Sequence, residues 1–267
     1  MSDRGCTSHM TLIPPPPSSS SSSSTCLLAN LSTRHLQFRF PAHHHCCPHH
    51  NAPASKMDEQ TKQSLLANGF VALLVTGGFL SSQLLLPKRA SAKTRFIFTW
   101  LAFDALCHSI IEGSFLYYST FGRSINTSQG FLAYLWKDYA RADKRWGWSD
   151  PTVVSLEILT VLGAGPLAAY CCYLLLTDVA AYHYWAVVLS TAELYGGFMT
   201  FCPEWLTQNK NLDASDWMLF YVYLCFMNLA WVFIPFYLLL DSYGSITAGL
   251  RTVAGATAAA TKTQKSK

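Results

Sequence analysis

Hydrophobic residues along this 267-residue chain occur in five long blocks, which short polar segments separate. Each block is long enough for a helix to cross about 30 Å of hydrocarbon, which takes about 20 residues. The pattern therefore predicts an all-α, polytopic membrane protein built as a five-transmembrane-helix bundle. The predicted spans are Leu65–Leu86, Phe96–Ser119, Val153–Leu176, Tyr182–Phe201 and Trp217–Leu240.

Composition agrees with a membrane protein. The chain is 51% hydrophobic and 13% charged, whereas about a quarter of a soluble domain is charged. The net charge of +4 comes mostly from loops and tails, and no basic run is long enough to indicate nucleic acid as a partner. Five of the nine cysteines fall in or beside the predicted spans, where free cysteine acts as a small buried hydrophobe: Cys107, Cys171, Cys172, Cys202 and Cys225.

The first 56 residues differ from everything after them. They contain Pro14–Ser24, a run of proline and then serine, a histidine and cysteine cluster at His43–His50, and a single acid, Asp3. We expect this segment to be disordered. The histidine cluster could bind metal adventitiously, but low complexity explains it better. It resembles a transit peptide that would target plastids, and the alternative is that translation starts at Met57. Residues 57–245 are then the membrane domain, and residues 246–267 are a basic tail.

The distribution of lysine and arginine predicts the orientation in the membrane, because positive loops stay cytoplasmic. The linker after the first span holds Lys88, Arg89, Lys93 and Arg95 without an acid, and the C-terminal tail is also basic. With five spans both segments are cytoplasmic. The loop of residues 120–152 then lies in the lumen with the glycosylation sequon at Asn126, although it too carries basic residues.

Within that loop, Leu135–Trp146 spaces aromatic and apolar residues at helical intervals among charges. This pattern predicts an amphipathic helix at the membrane interface. Substrate entry and plain surface packing are both compatible with it.

Ionisable residues inside the predicted spans are the strongest functional signal, because burying a charge in a bilayer is costly. Asp104, His108 and Glu112 follow one another at intervals of four residues, along one side of a helix. Glu157 and Glu193 belong to two further spans. Such residues must face a bundle interior or a polar cavity.

A histidine and two glutamates in a dry site suit general acid–base chemistry. Metal binding by a His/Glu/Glu set is the rival interpretation, without a known metal motif to support it. In the last span, Asn228 and Trp231 share a helix face, where the amide would orient a carboxylate and the indole would stabilise a cation. Gly165–Pro166 is expected to bend the third span.

Several motifs, in order, resemble the emopamil-binding protein family, also known by its EXPERA domain. They are H-x-x-x-E-G at His108, T-V-V-S-L-E-I-L-T around Glu157 and F-M-N-L-A-W-V-F-I-P around Asn228. The resemblance covers about residues 65–245. It implies a multi-spanning membrane protein of the endoplasmic reticulum and a 3β-hydroxysteroid Δ8–Δ7 isomerase, which shifts a sterol B-ring double bond without a cofactor.

The resemblance also implies roles for the site residues. His108, Glu112 and Glu157 would handle protons, Asn228 would hydrogen-bond that set, and Trp231 would face the carbocation. Thr160 would line the site, and we expect Tyr195, Asp104 and Glu193 to contact substrate as well. The expected partners are the sterol substrate and the lipid bilayer, with a homodimer left open, and no metal is expected.

Two positions depart from the isomerases of the family, and the chain is more similar to the emopamil-binding protein-like branch. Glycine is typical where this chain has Asp104, and glutamine where it has Glu193. Both departures add an acid near the cavity. They favour a rival hypothesis, a non-catalytic protein that binds sterols or lipophilic amines.

Overall fold

The computed structural model describes residues 58–265, which form helices joined by short connections. The long helices are α1 (Glu59–Leu85), α2 (Ala92–Ser119), α5 (Pro151–Leu176), α6 (Tyr182–Leu206) and α7 (Met218–Lys265), and two short ones, α3 (Phe131–Tyr139) and α4 (Arg145–Trp148), lie between α2 and α5. A 3₁₀ turn, Ile125–Thr127, precedes α3. No strand occurs among these residues, which confirms the all-α class. The predictions for residues 1–56 and for Met57 as the start lie outside the described residues.

Helix starts follow the local sequence. The Asp58 carboxylate accepts from the Thr61 amide at 2.7 Å, and the Ser91 hydroxyl accepts from the Thr94 amide at 3.0 Å. Asp150 caps α5 in the same way and is followed by Pro151, a residue that suits the first helical position. Each cap satisfies a backbone N–H that has no partner inside the helix.

Four helices, α1, α2, α5 and α7, are long and apolar enough to cross a membrane. Their bounds match the predicted spans at one end or both, but α7 continues to Lys265, so the predicted basic tail is helical as far as that residue. Helix α6 spans 25 residues, about 37 Å at 1.5 Å per residue, yet it carries Glu193 and Glu204 and is not among the four. The five-span bundle therefore remains a prediction. The length and composition of the helices support four of its spans.

Close helix contacts depend on small residues, as is common in membrane bundles. A Cβ atom on Gly78 of α1 would lie 2.7 Å from the Thr99 carbonyl oxygen and 3.0 Å from the Phe103 amide of α2. No side chain fits there. The glycine therefore fixes how closely the first two helices approach, and with that the position of α2.

The predicted amphipathic helix Leu135–Trp146 is interrupted, because the chain turns between α3 and α4. Instead of lying flat on a surface, it packs inward: the indoles of Trp136 and Trp146 stack with ring centroids 4.9 Å apart and planes 2° apart. The Trp136 indole N–H donates to the Ile111 carbonyl at 3.1 Å and to the Ser114 hydroxyl at 3.0 Å. This segment closes one end of the bundle.

A buried ionic cluster fixes the same end. The Arg145 guanidinium donates to Asp143 through Nη2 at 2.6 Å and lies 3.4 Å from a Glu204 carboxylate oxygen through Nε. Glu204 also accepts from the backbone amide and the side chain of Asn211, at 3.0 and 2.7 Å. The cluster joins the α3–α4 segment to the end of α6.

We predict that Arg145→Met destabilises the protein by about 3–5 kcal/mol, because two buried carboxylates lose their cation. The neighbouring exposed residue provides the control: Lys144→Met should change stability by less than about 0.5 kcal/mol. Thermal unfolding of the purified protein in detergent measures both. Equal midpoints for the two variants would contradict the structural role of the cluster.

Candidate active site

A cavity of about 900 Å³ lies among the helices, at the upper end of the ~300–1,000 Å³ usual for small-molecule sites. Its wall is mostly apolar. The exposed aromatic residues Phe198, Trp205 and Phe226 belong both to this wall and to the outer surface, so the cavity opens beside α6 and α7. Among its polar wall residues are His108, Glu112, Glu157, Thr160, Glu193 and Asn228.

His108 is buried on α2 between two acids of the same helix. Its Nδ1 atom lies 2.6 Å from Glu112 Oε2, one turn later, and its Nε2 atom lies 3.0 Å from Asp104 Oδ1, one turn earlier. An imidazolium can donate from both nitrogens, so it matches two carboxylates. The interval of four residues, read from the sequence, thus places three ionisable groups in contact.

Three helices that carry site residues contain a π-helical turn next to them. These turns are Cys107–Glu112 in α2, Thr160–Ala164 in α5 and Met218–Phe226 in α7. A π-helical turn inserts a residue into an α-helix and redirects the side chains around it, and such turns are frequent at functional sites. In α5 the π-helical turn comes directly before Gly165–Pro166. Proline has no backbone N–H, so a carbonyl group in the preceding turn lacks its usual donor, and the regular α-helical pattern is interrupted there. π-Helical turns are a common cause of helix bends, so this turn agrees with the bend predicted at the dipeptide, which stays a prediction.

Glu157 extends the group from α2 to α5. Its side chain is 7% exposed, lines the cavity, and faces the Glu112 carboxyl. Two carboxylates are both acceptors, so this contact becomes a hydrogen bond only when one of them carries a proton. Thr160 lines the same wall and returns its hydroxyl to the Leu156 carbonyl at 2.9 Å.

Helix α7 contributes Trp231 and Asn228. The Trp231 indole N–H donates to Asp104 Oδ1 at 2.8 Å, and its ring centroid lies 6.3 Å from that of His108, at the cavity wall. The Asn228 amide nitrogen donates to the Tyr139 hydroxyl at 3.1 Å and to the Tyr223 carbonyl at 2.8 Å. A direct bond from Asn228 to the carboxyl groups therefore remains a prediction.

The structure places two of the four expected substrate-contacting residues away from the cavity wall. Tyr195 is 61% exposed and lies outside the cavity wall, because two residues along a helix from Glu193 correspond to a turn of about 200°. Asp104 is 0% exposed and is not part of the wall either; it lies behind His108 and Trp231. Glu193, by contrast, does line the cavity, as does Thr160.

Some site features were missed from the sequence. Trp136, Tyr139 and Trp146 were read as parts of a surface helix, yet all three line the cavity. Burial raises the pKa of the Tyr139 hydroxyl well above its ordinary value, so this residue stays neutral beside Asn228. Their aromatic character was the available signal, but only the turn between α3 and α4 directs them inward.

Asp104, His108 and Glu193 form the group within residues 58–265 that could hold a metal ion. Each offers one ligand atom, and these atoms lie within 4.8 Å of one another. The same three groups also suit an ion pair, in which Nε2 of His108 lies 3.0 Å from Oδ1 of Asp104. Metal analysis of the purified protein distinguishes the two.

Comparisons with known proteins agree on one family. A sequence profile of the EXPERA family, the expanded EBP superfamily, matches residues 131–242. A 3-beta-hydroxysteroid-Delta(8),Delta(7)-isomerase of Cavia porcellus is 31% identical over 179 residues, which cover 67% of this chain and 76% of that protein. A probable enzyme of the same name from Oryza sativa subsp. japonica is 29% identical over 164 residues, or 61% and 73% of the two chains. A protoglabretal synthase of Citrus sinensis is 25% identical over 172 residues, or 64% and 76%.

We predict that the site depends on the absence of a side chain at Gly165. A Cβ atom there would lie 3.0 Å from the Cβ atom of His108, so Gly165→Ala should destabilise the protein by about 1–3 kcal/mol through overpacking. Gly163 has open space around it, and Gly163→Ala should be neutral or stabilising by up to about 1 kcal/mol. Unfolding midpoints in detergent test the pair, and a neutral Gly165→Ala would contradict the close packing.

Proposed function

The chain belongs to the EXPERA family of membrane proteins, and on that premise we propose that it is a cofactor-independent 3β-hydroxysteroid Δ8–Δ7 isomerase of sterol biosynthesis. One observation supports this function most directly. His108, Glu112 and Glu157 form a contiguous set of ionisable groups on the wall of a large apolar cavity. Related proteins that carry the isomerase name, from a mammal and from a plant, agree with it.

The reaction needs an acid and a base in one site. A proton adds to C9 of the Δ8 sterol, a carbocation forms at C8, and loss of a proton from C7 gives the Δ7 product. Glu112 and Glu157 lie in contact, and two adjacent carboxyls that share one proton provide one acid and one base. His108 holds Glu112 through the 2.6 Å bond and exchanges protons with it.

The carbocation needs a stabilising group and protection from water. The Trp231 ring at the cavity wall supplies a π-face for the cation, and the indole N–H bond to Asp104 fixes its orientation. Asn228 and Tyr139 brace the adjacent wall through their 3.1 Å bond. The apolar remainder of the cavity excludes water, which would otherwise add to the cation.

The proposal includes the membrane in which the protein lies and its topology there. The protein is a multi-pass protein of the endoplasmic reticulum membrane with five spans, α6 being the fourth along the chain, and with a cytoplasmic basic C-terminus. The linker between α1 and α2, which carries Lys88 and Arg89, supports this orientation through the positive-inside tendency. The substrate is a sterol that enters from the bilayer, and a homodimer is compatible with the fold.

A non-catalytic sterol or lipophilic-amine binding protein is the second candidate. Asp104 and Glu193 favour it, because they add two carboxyl groups beside His108 and so increase the capacity of the site for cationic ligands. In that case the cavity binds ligands without turnover. Expression in yeast that lacks its own sterol C8 isomerase separates the candidates: the isomerase restores Δ7 sterols, whereas continued accumulation of Δ8 sterols despite good membrane expression would exclude it.

We predict that Glu157→Gln and His108→Ala each reduce isomerase activity by about 10²–10⁴-fold, the usual contribution of a general acid or base. Tyr195→Phe, on the exposed side of α6, should leave activity near the wild-type value. Sterol profiling of membranes with matched amounts of each variant is the measurement. Near-normal turnover in either of the first two variants would reject its role in proton transfer.

A further inference from the structure

A second pair of acids lies on the other side of His108 from Glu112 and Glu157. Glu193 of α6 lines the cavity and is 8% exposed, and Asp104 of α2 lies behind it, 0% exposed. The Glu193 and Asp104 carboxyls face each other, and their ligand atoms and that of His108 fall within 4.8 Å of one another.

These two acids have unpaired oxygens. Both carboxyl oxygens of Glu193, and Oδ2 of Asp104, are buried without a donor among the described residues. Buried polar atoms in native proteins normally have a hydrogen-bond partner. A single proton held between the two carboxyls supplies one, because two adjacent carboxylates do not both ionise in an apolar site.

The five ionisable groups form an unbroken row of neighbours that runs from α5 through α2 to α6. Glu157 contacts Glu112, Glu112 lies 2.6 Å from Nδ1 of His108, Nε2 lies 3.0 Å from Asp104, and Asp104 contacts Glu193. His108 connects the two pairs through opposite ring nitrogens. An imidazolium in this position can release a proton from one nitrogen and take up another on the other nitrogen, and so return to its starting form.

We propose that Glu193, held by Asp104, is a second proton-exchanging residue of the cavity, and that His108 passes protons between it and Glu157 so that the proton taken from one sterol is delivered to the next. This rests on the proposed isomerase function. Glu193 is the group that meets substrate, and Asp104 is a positioning residue.

The proton balance of the reaction shows why such a connection is useful. At the donor carboxyl an O–H bond breaks, and the alkene π pair forms the new C–H bond. At the acceptor carboxyl an O–H bond forms, while the electron pair of the broken C–H bond becomes the new double bond. When Glu193 serves at one end of the reaction and the Glu112–Glu157 pair at the other, each turnover leaves one end short of a proton and the other with an extra one, and the path through His108 restores both without bulk water.

Turnover in D₂O tests the return of protons. Wild-type product should carry clearly less than one deuterium per molecule at the newly protonated carbon, because substrate protons are reused. Glu193→Gln and Asp104→Asn should raise this value close to one and lower kcat roughly 10- to 100-fold with little change in KM. Ser190→Ala, a buried change one turn away on α6, is the matched control and should behave as wild type. Equal deuterium content in wild type and Glu193→Gln would overturn the proposal.

Infrared spectroscopy of the purified protein detects the proton shared by Asp104 and Glu193 without any turnover. A protonated carboxyl band in the wild type should be lost in both Glu193→Gln and Asp104→Asn and kept in Ser190→Ala. Retention of the band in either acid variant would contradict proton sharing, as would a stoichiometric metal ion that Glu193→Gln releases. If the wild type does not isomerise sterols, the proposed function fails and the return of substrate protons fails with it, whereas the infrared band still decides whether the two acids share a proton.

Discussion

Every feature of the site depends on one constraint: ionisable groups buried among apolar helices must satisfy one another. A charged residue at the centre of a membrane helix costs about 2.5–3.5 kcal/mol on insertion scales. This chain buries three acids and a histidine close together, with Glu112 partly buried beside them. The histidine resolves the conflict because each of its ring nitrogens faces a carboxylate, at 2.6 and 3.0 Å. The same mutual dependence leaves protons shared between groups, and shared protons are what an acid–base reaction uses.

The helices are shaped to bring these groups together. Gly165 lets α5 approach within contact distance of the His108 Cβ atom, and Gly78 does the same between α1 and α2. The π-helical turns in α2, α5 and α7 lie beside the residues that line the cavity. Regular helices would present a smooth apolar face, so these irregularities are part of how the bundle accommodates a polar site.

Much of this arrangement could be predicted from the sequence, because burial of an acid in a membrane helix allows few alternatives. The interval of four residues predicted that Asp104, His108 and Glu112 share a face, and they are in contact. The exposed position of Tyr195, away from the cavity wall, could not be predicted, because closeness in sequence to Glu193 does not give direction around a helix. The inward turn of α3 and α4 was also missed, since the amphipathic pattern of Leu135–Trp146 is equally suited to a lipid surface and to the bundle end.

The account is tested most directly by an experimental structure of the protein with a Δ8 sterol bound. It predicts that the B-ring double bond lies beside Glu112 and Glu157, with a carboxyl oxygen about 3 Å from the carbon that gains or loses a proton and the Trp231 ring facing C8. A sterol bound in the cavity with its rings elsewhere, or with its hydroxyl group against these carboxyls, would contradict it.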